Sequence, residues 1–115
     1  MASDCIFCKI VRKEIPAKVA FEDHEVLAFD DINPAAPAHV LVIPKRHLAT
    51  LNDLAPGDDA VMGKLFRVAA QVARERGVSE TGWRATVNCG RDAHQLVFHV
   101  HLHLMGGRAF SWPPG

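Results

Sequence analysis

The sequence predicts an α+β fold: an antiparallel five-stranded sheet with one long and one short helix. Three observations carry this. Short apolar, β-branched runs follow one another mostly through short turns, which suits antiparallel neighbours better than βαβ winding. One long segment repeats apolar residues at helical spacing, with Val61, Leu65, Val68 and Val72 forming a stripe. Near the C-terminus His99-Val100-His101-Leu102-His103 alternates strictly, the period of a strand.

Taken in order, residues 4–12 suit a short helix that ends before Ile15-Pro16. Residues 19–22 and 26–30 read as strands around the turn Asp23-His24-Glu25. Residues 31–37 hold Pro34 and Pro37 and form a loop, because proline cannot sustain regular pairing. Residues 39–43 make a buried strand closed by Pro44. The long helix spans roughly 57–76. Asp58 and Asp59 stand near its positive end, Arg74 and Arg76 near its negative end, and Gly77 suits the position just past it. Residues 83–89 alternate as a strand, 90–94 turn, and 98–105 form the histidine strand, with Phe98, Val100, Leu102 and Leu104 opposite the imidazoles. Gly106-Gly107 ends it.

A chain of 115 residues is expected to form one domain, 1–115, with 108–115 as a C-terminal arm. Thirteen basic and thirteen acidic side chains leave no net charge, so nothing argues for duplex nucleic acid or an anionic membrane as partner. No apolar run approaches the ~20 residues that span a bilayer. The start Met1-Ala2-Ser3-Asp4-Cys5 lacks a basic-then-apolar export pattern, and a cytoplasmic location is expected. Three cysteines without such a pattern argue against a disulfide framework.

The histidine row carries the chemistry. Three neighbouring imidazoles suit either a metal site or nucleophilic catalysis. A neutral imidazole can attack phosphorus and then leave to water, splitting one hard displacement into two. Its neighbours can hold phosphate oxygens and manage protons. A solvated strand face is the plainer reading, and strict threefold alternation argues against it. Cys5-Ile6-Phe7-Cys8 is a metal knuckle, a redox pair or two ordinary buried thiols. A zinc site would need two more ligands, for which His47 and His99 are the candidates. Without metal, His47 would bond His99 directly. His24 and His39 have no partner signal and read as surface or packing residues, and Cys89 as a buried strand residue.

The stretch His99-Val100-His101-Leu102-His103-Leu104-Met105 resembles the histidine-triad pattern. The likeness extends over nearly the full length, through Cys5-Ile6-Phe7-Cys8-Lys9-Ile10, Glu14-Ile15-Pro16-Ala17-Lys18, Leu27-Ala28-Phe29-Asp30-Asp31-Ile32 and Leu41-Val42-Ile43-Pro44-Lys45-Arg46-His47. The ending Gly106-Gly107-Arg108…Trp112-Pro113-Pro114-Gly115 narrows it to the Hint branch, the histidine-triad (HIT) nucleotide-binding phosphoramidases.

The resemblance implies a HIT-like fold and hydrolysis of purine nucleoside 5'-phosphoramidates to nucleoside monophosphate and amine. His101 would be the nucleophile, His103 would contact phosphate, and His99 would orient the row. Asp31 would hold the ribose, and Ile6, Phe7, Ile10, Phe29 and Ile32 the base. Asn88 would reach the phosphate side, and Gln95 would belong to the nucleotide-binding set. On the residues alone, Asp31 could equally turn its loop, Ile6, Phe7 and Ile10 could be core, and Asn88 could end a strand. Some histidine-triad proteins resemble this chain in pairing two cysteines with two histidines, which implies structural zinc on Cys5, Cys8, His47 and His99. No metal is implied for catalysis. A homodimer is expected, in which Trp112 on the arm completes the neighbour's site. Where the branch usually has a hydroxyl donor the chain has Leu96, and Ala93-His94 replaces the usual glycines, so His94 becomes a substitute donor. Two other functions fit the same residues: a dinucleoside polyphosphate hydrolase, and a nucleotide-binding regulatory module with little turnover. A zinc-stabilised scaffold is a third.

Overall fold

A computed structural model describes residues 4–115. Met1, Ala2 and Ser3, on which the reading of the chain start rests, lie outside the described residues. A short helix α1 (Ile6–Val11) precedes strands β1 (Val19–Glu22), β2 (Val26–Asp30) and β3 (Ala38–Pro44). Two single 3-10 turns then lead into the long helix α2 (Asp59–Glu75), followed by β4 (Trp83–Val87) and β5 (Leu102–Gly106). The sheet order is β1-β2-β3-β5-β4 with every pair antiparallel. β5 is thus inserted beside β3, which puts the histidine segment in the middle of the sheet and leaves β4 at an edge.

Alternation gives each strand two faces. Val26 and Ala28 of β2, Val40 and Val42 of β3, and Leu102 and Leu104 of β5 pack on one face with Leu65, Val68, Ala69, Val72 and Ala73 of α2. This is the stripe expected from spacing, with Val61 at its partly buried margin. Leu27 and Phe29 of β2 and Leu41 and Ile43 of β3 form the other face, covered by Phe7 and Ile10 of α1. A six-residue helix has little stability of its own. α1 is held by this packing and by Cys5, whose sulfur accepts the Cys8 N–H at its N-terminus.

Both helices are trimmed by one or two residues at their ends, and two strands are shorter than the sequence suggests. β4 stops at Val87, leaving Asn88 and Cys89 beyond it. β5 starts at Leu102, so His99 and His101 precede the strand. The reason lies in the partner: β3 closes at Pro44, which has no N–H to continue a ladder. The Val100 N–H donates instead to Leu48 O, 2.7 Å away, past the end of β3. The backbone stays extended enough to keep alternation from Val100 onward, since Val100, Leu102 and Leu104 are all in the α2-side core. Phe98 is half exposed and does not join them.

Candidate active site and metal cluster

The three histidines occupy the face opposite α2, and each ring sits in a different electrostatic setting. His99 is fully buried. Its Nε2 lies 2.8 Å from Pro44 O. A carbonyl only accepts, so Nε2 carries the proton and Nδ1 is bare. His101 is also buried, with Nδ1 2.7 Å from His99 O. By the same logic its Nδ1 carries the proton and its Nε2 is bare. The ring of Phe7 stands edge-on to both, 6.0 Å from His99 and 5.1 Å from His101 between centroids.

His103 is set by a residue that the sequence did not mark. Of the two expectations for His39, surface or packing, the structure shows the second, since it is buried in β3; unlike the expectation, it has a polar partner. Its Nδ1 accepts the Ala35 N–H at 2.9 Å, so its proton sits on Nε2. That atom is 2.9 Å from His103 Nδ1, which therefore accepts, and His103 is left with its proton on Nε2. Pairing explains the meeting. His103 stands opposite Leu41, and His39 opposite Met105, so the two imidazoles are diagonal neighbours on one face. Parity was the available signal: residue 39 shares its face with 41 and 43, and 103 faces 41 across the ladder. Asp31 adds Oδ2 3.4 Å from His39 Nε2.

The result is two adjacent rings with opposite outward atoms. His101 presents a bare Nε2 and His103 an Nε2–H, their centroids 4.9 Å apart. A bare imidazole nitrogen can attack phosphorus, and an N–H beside it can hold a phosphate oxygen. Burial keeps both rings neutral: it lowers the His101 pKa, and it lowers that of His103 to about 4, with His101 and His39 adding to the latter shift.

Two clusters of metal-type donors occur among the described residues: Cys5, Cys8, His47 and His99, and Asp31, His39 and His103. Proton positions separate them. His39 must keep its proton on the nitrogen that would ligate, because Ala35 N–H occupies the other. This cluster is a hydrogen-bonded relay. In the first cluster His99 donates its far N–H to a carbonyl and turns a bare Nδ1 inward, the usual arrangement of a metal-binding histidine. Distances fit as well. Tetrahedral zinc with bonds of about 2.05 Å to nitrogen and about 2.3 Å to sulfur needs N···N edges of about 3.3 Å and N···S edges of about 3.6 Å. His47 Nδ1 and His99 Nδ1 are 3.2 Å apart, and the N···S separations are 3.2, 3.4 and 3.5 Å. Burial and the neighbouring Cys5 push the Cys8 thiol up to about 11, a penalty that a bound cation reverses by taking the thiolate.

The other sequence candidates are distributed as follows. Phe7, Ile10 and Phe29 share the α1-side cluster, joined by Ile15, which the sequence reading left out. Ile10 and Ile15 also line a shallow cleft of about 190 Å³. Ile32 is 91% exposed near the start of the loop after β2. Ile6 lines a separate cleft of about 420 Å³ with Cys5, His47, Leu96 and Phe98, so it is not gathered with Ile10. Asp31 turns its loop, with Oδ1 accepting from Asn33 N at 2.9 Å, and its Oδ2 lies on the histidine side, 3.4 Å from His39 Nε2. Asn88 lies one step past the Val87–Leu102 pair, on the side of residue 101. Gln95 is buried, and its amide is used within the protein, accepting from Gly90 N and donating to Ala49 O and Val97 O. His94 is exposed with a left-handed backbone, φ 65°. Trp112 is 82% exposed.

A central antiparallel sheet carrying three alternate histidines, with a fourth beside them, defines a histidine-triad fold and site. The chain belongs to the HIT domain family, whose model matches residues 12–110. It is 43% identical over 108 residues to the purine nucleoside phosphoramidase of Escherichia coli, covering 94% of this chain and 91% of that one. A HIT family hydrolase from Legionella pneumophila superposes with a TM-score of 0.95 at 48% identity, over 97% of this chain and 100% of that one. A zinc-bound histidine triad family protein from Mycobacterium smegmatis superposes with a TM-score of 0.80 at 37% identity, over 94% and 78%. No helix among the described residues is long and apolar enough to cross a membrane.

The buried neutral histidines make stability depend on acidity. Burial lowers both His99 and His103 to about 4, well below an unfolded histidine. Between about pH 6.5 and about 4 the unfolded chain therefore binds more protons, and stability falls as pH falls, by up to about 1.4 kcal/mol per pH unit for each group. Urea midpoints of metal-free protein should drop steadily from pH 7 to pH 4.5. Constant midpoints across that range would contradict neutral burial of these rings.

Proposed function

We propose that this HIT-family protein hydrolyses purine nucleoside 5'-phosphoramidates to a nucleoside monophosphate and an amine. The observation that carries the reading is the pair of outward atoms, bare Nε2 on His101 beside Nε2–H on His103. His101 Nε2 attacks phosphorus, the P–N bond to the amine breaks as that nitrogen takes a proton from solvent, and a nucleotidyl-histidine forms; the proton is returned to solvent when water attacks in the second step. His103 donates to a non-bridging phosphate oxygen throughout. Water then attacks phosphorus, the P–N bond to His101 breaks, and the histidine returns neutral. One water is consumed; its oxygen ends on phosphorus and its hydrogens are shared between the products. Asp31 Oδ2 accepts from the ribose hydroxyls, and Phe7, Ile10 and Phe29 hold the base with Ile32 closing over it. Asn88 and Gln95 support the phosphate side, Asn88 by contact and Gln95 by shaping the 90–97 loop.

The similarity to a purine nucleoside phosphoramidase favours P–N cleavage over dinucleoside polyphosphate hydrolysis. Replacing His101 with alanine should abolish release of the amine from an adenosine phosphoramidate, a loss of at least about a thousandfold. Affinity for adenosine monophosphate should stay within a few-fold of wild type, because the pocket is intact. Near-wild-type turnover by the variant would reject the assignment.

Zinc is the metal we propose for Cys5, Cys8, His47 and His99. It would supply no step of the reaction. It would hold His99, whose carbonyl orients His101. Purified protein should contain one zinc per chain, and replacing Cys5 and Cys8 together by serine should remove it and lower the melting temperature. Metal-free wild-type protein whose melting matches the double variant would leave two ordinary thiols.

The assembly we propose is a homodimer formed along α2 and the edge strand β4, with Trp112 of one chain completing the other's amine side. β4 has a free edge and the largest exposed aromatic lies on the arm. Both features are ones a partner would cover. Light scattering at micromolar concentration should give twice the chain mass, and deleting residues 111–115 should change the preferred amine without changing that mass. A monomer would rule the arrangement out.

A further inference from the structure

The loop between β2 and β3 serves the site twice. Asp31 opens it, and Ala35 N–H fixes the proton of His39. The start of the C-terminal arm is pressed against this loop. Gly107 has φ +91°, and a Cβ there would stand 2.9 Å from Pro37 Cβ, so only glycine passes over Pro37 at this separation. The next residue, Arg108, donates from Nε to Ala35 O at 3.0 Å. Its guanidinium lies 4.2 Å from the centroid of Phe110, and Arg84 lies 5.0 Å from the same ring. Arg84 also donates to Ser111 O at 2.9 Å. Arg108 is thus braced by the arm on one side and grips the loop on the other.

We propose that Gly107 and Arg108 form a positioning element that sets the proton of His103 from outside the pocket. They hold Ala35 so that its N–H faces His39 Nδ1. When that grip is lost, Ala35 can turn away and His39 can move its proton to Nδ1. His39 Nε2 then becomes an acceptor, His103 must donate from Nδ1, and His103 Nε2 is left bare. The site loses the N–H meant for phosphate while the base and ribose contacts stay. The consequence for turnover rests on the phosphoramidase reading above; the proton position does not.

The test compares wild type, Arg108→Met and Arg84→Met, each as the full chain with 15N-labelled histidine, by long-range proton–nitrogen correlation and by kinetics on an adenosine phosphoramidate. In wild type His103 should show a protonated Nε2 and a bare Nδ1. Arg108→Met should show a mixture of the two forms. Its kcat should fall about fivefold, the effect of one ordinary hydrogen bond, with KM within about twofold. Arg84→Met frees Ser111 but leaves Ala35 held, so His103 should keep the wild-type form. Should Arg108→Met fold poorly, Gly107→Ala, which must lift the chain off Pro37, should give the same mixture. An unchanged His103 in Arg108→Met and Gly107→Ala, or an equal change in Arg84→Met, overturns the proposal. Wild-type protein that turns over no phosphoramidate would reject the reaction instead, and the nitrogen signals would still decide the positioning.

Discussion

Backbone groups decide where each buried imidazole keeps its proton, and the site depends on that. A neutral histidine has one donor and one acceptor. In a setting that disfavours charge, whatever occupies one nitrogen dictates the chemistry of the other. Pro44 O takes the proton of His99, His99 O takes that of His101, and Ala35 N–H pushes that of His39 onto the nitrogen facing His103. Side-chain contacts alone would leave either tautomer open. Two carbonyls and one amide remove the choice, and they give neighbouring rings opposite roles.

The same logic ties the metal-type cluster to the nucleophile. His99 turns its ring to Cys5, Cys8 and His47 while its carbonyl holds His101. One residue thus belongs to the cluster through its side chain and to the active site through its backbone. The arrangement requires the 99–101 segment to leave the regular ladder, because an inner strand would commit that carbonyl to a neighbouring strand. Pro44 permits the departure by ending β3, and Val100 finds Leu48 O instead. What reads as a truncated strand is therefore what frees a backbone oxygen for the site.

Much of this was legible in the sequence, for physical reasons. Apolar, β-branched runs mark β1, β2 and β3, and alternation marks the side of β5 that meets α2, so these follow from residue type alone. The α2 stripe follows from helical spacing. The triad itself is local, and so is Cys5 with Cys8. His39 was missed because its partners are set by register between strands 64 positions apart, which composition does not encode. Gln95 entered only through the resemblance, and nothing in its residue type says that its amide closes the 90–97 loop. Ile6 and Ile32 are both apolar, and residue type does not say that one lines the cleft beside Cys5 and His47 while the other is exposed on its loop. Hydrophobicity says that a residue prefers burial, but not by which partner.

If proton position assigns the roles, the ring with the bare outward nitrogen is the one that becomes modified. Rapid acid-free quenching of enzyme mixed with an adenosine phosphoramidate, followed by intact mass and fragment-ion analysis, reads this directly. One nucleotidyl group per chain, carried by His101, is expected. A nucleotidyl group on His103, or product formed with no modified histidine at any time point, would contradict it.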